Sequence, residues 1–148
     1  MKLKTFCIVG IGNVIRSDDG VGAYVCKKME EKKLGNIAVA EVHQLDISMA
    51  EELSNYDFVV LVDAAEMEDD LFFEKLSAEA QPISFTHHIN AAMLIVLTKQ
   101  LYAANTIFYV GAVKGTNFDF GNIISPSTLK HADILVKKIC SLFVELNA

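Results

Sequence analysis

Leu3-Lys4-Thr5-Phe6-Cys7-Ile8-Val9-Gly10-Ile11-Gly12-Asn13 decides how this chain is read. Leu3 to Val9 is a short apolar run with β-branched members that ends in Gly-Ile-Gly-Asn, the pattern of a buried strand entering a turn. From Gly20 to about Lys33, Val21, Tyr24, Val25 and Met29 recur at helical spacing, with Lys27, Lys28, Glu30 and Glu31 left for solvent. The opening unit is therefore strand, loop, helix. A charged N-terminus before an apolar run also fits the start of a signal peptide, but Gly10, Gly12, Asn13 and Arg16 cut the run short and no small-residue cleavage site follows.

The same rhythm continues outward. Ile37 to Val42 reads as a strand, and Ser48 with Glu51 offers a capping box for a short helix towards Leu53. Phe58 to Ala64 is an apolar strand, a short strand is expected near Leu71 to Leu76, and a helix from about His88 to Leu101. Thr106 to Val113 is a further buried strand. Ser125 and Pro126 place a cap and an N1 proline before a closing helix that runs to about Leu146. Strands alternating with helices predict an α/β three-layer sandwich, a mostly parallel twisted sheet with helices on both faces. With 148 residues, 52% of them hydrophobic, and no linker-like tract or repeat, one domain over residues 1–148 is expected.

Composition narrows the partners. No apolar stretch approaches the ~20 residues of a membrane span, and a formal net charge of -6 repels phosphate backbones and anionic lipid. Neither nucleic acid nor membrane is expected as a partner. Cys7, Cys26 and Cys140 are odd in number, far apart and set in apolar patterns, which predicts reduced core thiols and a cytoplasmic protein.

In open sheets of this kind, ligands collect beyond the carboxyl ends of the strands where the strand order reverses. With a 2-1-3 order, that rule selects the loop Gly10 to Gly20 and Asp63 at the end of its strand. The glycines alone do not make a dinucleotide site, because Ile15 stands where the third glycine is needed and Asp46 comes too late for a ribose contact. Ser17-Asp18-Asp19-Gly20 instead sets two carboxylates before a helix. One of them has a ready task as a helix cap, which leaves the other free to enter the cleft.

Asp63 follows five apolar residues, and a carboxylate there costs several kcal/mol unless a cation, proton or hydrogen bonds compensate it. His87 opens the next helix, with His88 beside it. Two carboxylates and one imidazole, Asp19, Asp63 and His87, suit Zn, Ni or Co better than Ca or Mg, and they equally suit an acid/base set that polarises a water. Both chemistries stay open. There is no His-Glu-x-x-His, Gly-x-Ser-x-Gly, Gly-Lys-Ser/Thr or Cys-x-x-Cys, so the corresponding hydrolase, nucleotide and thiol classes drop away.

Gly10-x-Gly12-Asn13, Asp18-Asp19-Gly20-x-Gly22, Val62-Asp63-Ala64 and Thr86-His87, in this order and spacing, resemble the hydrogenase maturation endopeptidases. The likeness runs from the first strand to about Leu97. It implies a nickel-dependent, aspartic-type processing protease that removes a C-terminal extension from the large-subunit precursor of a nickel-iron hydrogenase once nickel is inserted. It also implies that the residues matching Asp19, Asp63 and His87 contact the metal, that the nickel is supplied mainly by the substrate, and that no organic cofactor takes part.

The chain departs from the family at His43-Gln44-Leu45-Asp46, where many members carry a Gly-Gly-Thr-like segment, and at Gly111-Ala112-Val113-Lys114, where many carry Gly-x-x-Pro. His43 is placed either near the cleft or on the surface. Two rival readings are a nickel-sensing assembly factor that binds the precursor without cutting it, and a peptidyl-tRNA-hydrolase-like esterase. The latter also opens on Gly-x-Gly-Asn but calls for a basic groove.

Overall fold

The computed structural model describes residues 3–76 and 88–148. Strands β1 (Phe6–Ile11), β2 (Ile37–Val42), β3 (Phe58–Ala65), β4 (Leu71–Leu76) and β5 (Ile107–Lys114) alternate with helices α1 (Val21–Glu31), α2 (Ala50–Leu53), α3 (His88–Tyr102) and α4 (Pro126–Leu146). They form one five-stranded sheet in the order β2-β1-β3-β5-β4, parallel except for β4, which runs antiparallel against β5. The expected α/β sandwich and the 2-1-3 neighbourhood are both present. β1 has β2 on one side and β3 on the other, so the order reverses there.

β3 is buried along its whole length, the signature of a central parallel strand covered on both faces. Its side chains alternate. Phe58, Val60, Val62 and Ala64 enter a core with Val25 of α1 and Leu135 of α4. Val59, Leu61 and Ala65 enter a second core with Leu53 of α2 and with Leu94 and Ile95 of α3.

Glycines in the opening strand do not end it, contrary to the sequence reading. β1 runs to Ile11, where it pairs with Val42. Gly10 serves packing rather than turning, because a Cβ there would overlap the Gly22 carbonyl oxygen of α1, and one on Gly22 would lie 2.6 Å from the Ile11 nitrogen. The two bare backbones let α1 lie directly against the sheet.

Two further expectations change. The cap after β2 is Asp46, whose Oδ1 accepts from the Ser48 N–H at 2.8 Å, so Ser48 is not the capping residue. Cys7 and Cys26 are core residues as expected, whereas Cys140 is half-buried. Burial pushes the Cys7 thiol up to about 11 and the Cys26 thiol up to about 12. Among the described residues no helix is long and apolar enough to cross a membrane.

Candidate active site

The loop that leaves β1 is built around the two neighbouring acids, and the structure gives them different work. Asp18 is fully buried. Its Oδ1 accepts the Ser125 N–H at 2.6 Å, while Oδ2 accepts the N–H groups of Thr116 (2.8 Å) and Asn117 (3.0 Å) and the Ser125 hydroxyl (2.9 Å). Burial disfavours the charge, but the hydrogen bonds from Ser125, Thr116 and Asn117 outweigh it and hold the carboxyl below its ordinary range.

Neither acid caps a helix. The short 3-10 turn Ser17–Gly20 and α1 both begin without a side-chain cap. The surplus carboxylate is a clamp instead, joining the β1 loop to the segment between β5 and α4. Ser125 does stand at the N-cap of α4, but makes no side-chain cap bond, its hydroxyl being given to Asp18.

Asp19 is left for the cleft. Its Oδ2 accepts the Asn13 N–H at 2.7 Å, and the Asn13 side chain in turn accepts from the Ile15 N–H at 3.1 Å. Oδ1 takes no hydrogen bond from the described residues. Gly12 lies at φ +138°, and a Cβ there would overlap the Asp19 carbonyl oxygen. The turn is therefore shaped so that Asp19 folds back against the strand end. The residue is only 6% exposed, yet it lines a cavity of about 240 Å³ together with Gly12, Asn13, Val14, Glu41 and His43.

Asp63 lies two residues inside the end of β3 rather than at its terminus. β1 last pairs with β3 at Gly10 and Val62, so Asp63 stands just past that rung, at the carboxyl edge on the strand next to β1. It is buried, its Oδ1 accepts the Ala64 N–H at 2.8 Å, and further polar contacts also engage it. Alternation along β3 turns it to the face covered by α3.

The structure thus brings Asp19 and Asp63 to one edge of adjacent strands. His87 lies outside the described residues, and His88 is the first residue of α3. Among the described residues no three His, Cys, Asp or Glu side chains converge as a metal-binding set. His43, left undecided between cleft and surface, is on the cleft wall with Glu41. Glu41 was not singled out in the sequence. The signal for it was its register partner, since Glu41 pairs with Gly10 at the point where β1 approaches its loop.

Comparison with known proteins supports the same architecture. No protein-family model matches the chain. A Methanocaldococcus jannaschii protein, provisionally named a hydrogenase maturation protease, is 28% identical over 156 aligned positions, covering 97% of this chain and 91% of that protein. Among solved structures, the hydrogenase maturating endopeptidase HybD of Escherichia coli superposes with a TM-score of 0.78 at 11% identity, over 95% of this chain and 93% of that one. The [NiFe] hydrogenase maturation protease HybD of Thermococcus kodakarensis gives 0.73 at 19% identity, over 93% and 98%. The resemblance carried by the glycine and aspartate motifs therefore extends over nearly the whole chain, which has the fold of the hydrogenase maturation endopeptidases.

Proposed function

We propose that this protein is a hydrogenase maturation protease that removes a C-terminal extension from the large-subunit precursor of a nickel-iron hydrogenase after nickel insertion. The observation that carries the reading is the division of labour in Asp18-Asp19. One acid is consumed by four hydrogen bonds shorter than 3.1 Å, while the other keeps a carboxylate oxygen towards a cleft at the sheet edge. A nearly buried carboxylate with one oxygen uncommitted is a ligand or proton acceptor in waiting.

Asp63 sits on the strand next to β1, on the face covered by α3, and His87 is the proposed third member of the set. Asp19, Asp63 and His87 would hold or orient the reacting centre. Carboxylate oxygens and an imidazole fit nickel, and with the metal supplied mainly by the substrate they need furnish only part of its shell. When bound, the metal would supply polarisation of the scissile carbonyl or of a water. The protein's own groups position the chain and accept or return the proton.

The test is to mix purified protein with nickel-loaded precursor and follow precursor mass. Wild type lowers the mass by that of the extension. Asp19→Asn, Asp63→Asn and His87→Ala slow processing by more than roughly a hundredfold, the scale of a lost acid/base or ligand group, with far-ultraviolet circular dichroism unchanged. Wild-type rates in any one variant remove that residue from the set. A stable complex with unchanged precursor mass makes the protein an assembly factor.

A further inference from the structure

The second segment joined by Asp18 has a feature that the clamp alone does not require. Residues 116–125 are tied to the acid loop at many points. The Ser17 N–H donates to the Gly121 carbonyl and the Gly121 N–H to the Ile15 carbonyl, both at 2.8 Å, and the Ser17 hydroxyl donates to the Asp119 carbonyl at 2.7 Å. Arg16 Nε reaches the Phe118 carbonyl at 3.2 Å. Ser17 is held at φ +53°, a conformation that costs a non-glycine residue energy and persists only where its surroundings fix it.

This well-fixed segment turns one aromatic partly inward and displays another. Phe118 packs onto the core, whereas Phe120, two residues on, is 86% exposed and Ile123 is 77% exposed. Both line a groove of about 460 Å³ with Asn117 and Pro126. Val14 and Ile15, in the turn just before the Arg16 bridge to Gly121, are about half exposed. A rigid loop that holds apolar side chains in water marks a contact surface.

We infer that Val14, Ile15, Phe120 and Ile123 form a docking platform for an apolar surface of the folded protein substrate, outside the segment that is cut. The inference rests on the protease reading above. Two observations select this occupant. The platform adjoins the cleft, because Val14 lines the cleft, the neighbouring Ile15 carbonyl accepts the N–H of Gly121 on the groove wall, and the same loop carries Asp19. A partner bound on the platform is thereby aligned with that carboxylate. The four side chains also expose only on the order of 500 Å² of apolar surface, short of the ~800 Å² per partner of a stable interface, which suits a substrate that must leave better than a permanent second copy. The net charge of -6 disfavours anionic lipid.

The test compares wild type with the double variant Phe120→Ser, Ile123→Ser. Binding of nickel-loaded precursor to each immobilised protein is measured while precursor mass is followed in parallel. Expected are at least tenfold weaker binding and a KM raised by the same factor, with kcat within twofold, thermal stability unchanged, and recovery in Phe120→Leu, Ile123→Leu. Equal affinities for wild type and double variant overturn the inference even if cleavage proceeds. Patch-dependent binding without any cleavage leaves it standing and removes the protease reading. No precursor binding to wild type overturns it. A wild-type dimer in sedimentation that the double variant dissolves assigns the platform to a second copy instead. Flotation of wild type but not the variant with phosphatidylcholine vesicles assigns it to lipid.

Discussion

Asp18→Asn should destabilise the protein far more than Asp19→Asn, although the two residues are adjacent and the chemical change is identical. Asp18 offers two acceptor oxygens to three backbone N–H groups and two hydroxyls, that of Thr116 the more distant at 3.4 Å. An asparagine presents one oxygen. In its best orientation the oxygen replaces Oδ2 and the amide faces the Ser125 N–H, leaving a buried donor against a donor, at about 1–3 kcal/mol. Loss of the charge weakens the remaining bonds, since charge-assisted hydrogen bonds are roughly twice as strong as neutral ones.

The sum is about 2–4 kcal/mol, or roughly 5–12 °C in Tm for a chain of this size. Asp19 holds one backbone N–H, which an asparagine oxygen can still accept, so its substitution costs under about 1 kcal/mol. Thermal unfolding at pH 7 followed by circular dichroism measures both. The difference also has a pH window. The folded-state pKa of Asp18 lies below its unfolded value, so the stabilisation is full above the unfolded pKa of about 3.9 and is lost as pH falls through the folded value. Wild type and Asp18→Asn should converge in acid. A Tm for Asp18→Asn within 2 °C of wild type, or a larger loss in Asp19→Asn, refutes the clamp, the ~2 °C bound being less than 1 kcal/mol here.

Gly12→Ala forces an L side chain to φ +138° and drives its Cβ into the Asp19 carbonyl, so precursor processing should fall at least tenfold with a stability loss of about 2 kcal/mol or more; chemical denaturation and the mass assay read the two effects. The high thiol pKa values of Cys7 and Cys26 predict that iodoacetamide at pH 8 labels at most Cys140 in the native protein and all three cysteines in denaturant, as counted by intact mass.

Local patterns sufficed for most of the architecture. β2 (Ile37–Val42) and β4 (Leu71–Leu76) have the limits expected of them, and Pro126 opens α4, because hydrophobic period and turn chemistry are written in neighbouring residues. What the sequence concealed depends on distant partners. Gly10 read as a turn signal, yet its neighbour is Gly22 on a helix that packs against it. Asp18 and Asp19 could be seen to exceed one structural need, but which was the clamp depended on Thr116 and Ser125, 98 and 107 residues away. Ser48 matched a capping box, and Asp46, two positions earlier, took the backbone donor instead. The apolar platform was illegible for the same reason. Phe118 and Phe120 are equal in composition, and only the packing of the loop turns one in and one out.

The span of the Asp18 clamp also sets an order of events during synthesis. At about 5–20 residues per second, Ser125 is added roughly 5–20 s after Asp18, and Thr116 and Asn117 only shortly before it, so for most of that interval the carboxylate has none of its folded-state donors. A nascent chain that has already paired β1 with β2 still carries an unlocked acid loop. The turn that points Asp19 at its cleft has its local bonds with Asn13 and Arg16 early, and gains its ties to Asp119 and Gly121 only when the segment before α4 arrives. The acid loop accordingly gains its long-range clamp only in the last part of translation, when residues 116–125 are in place.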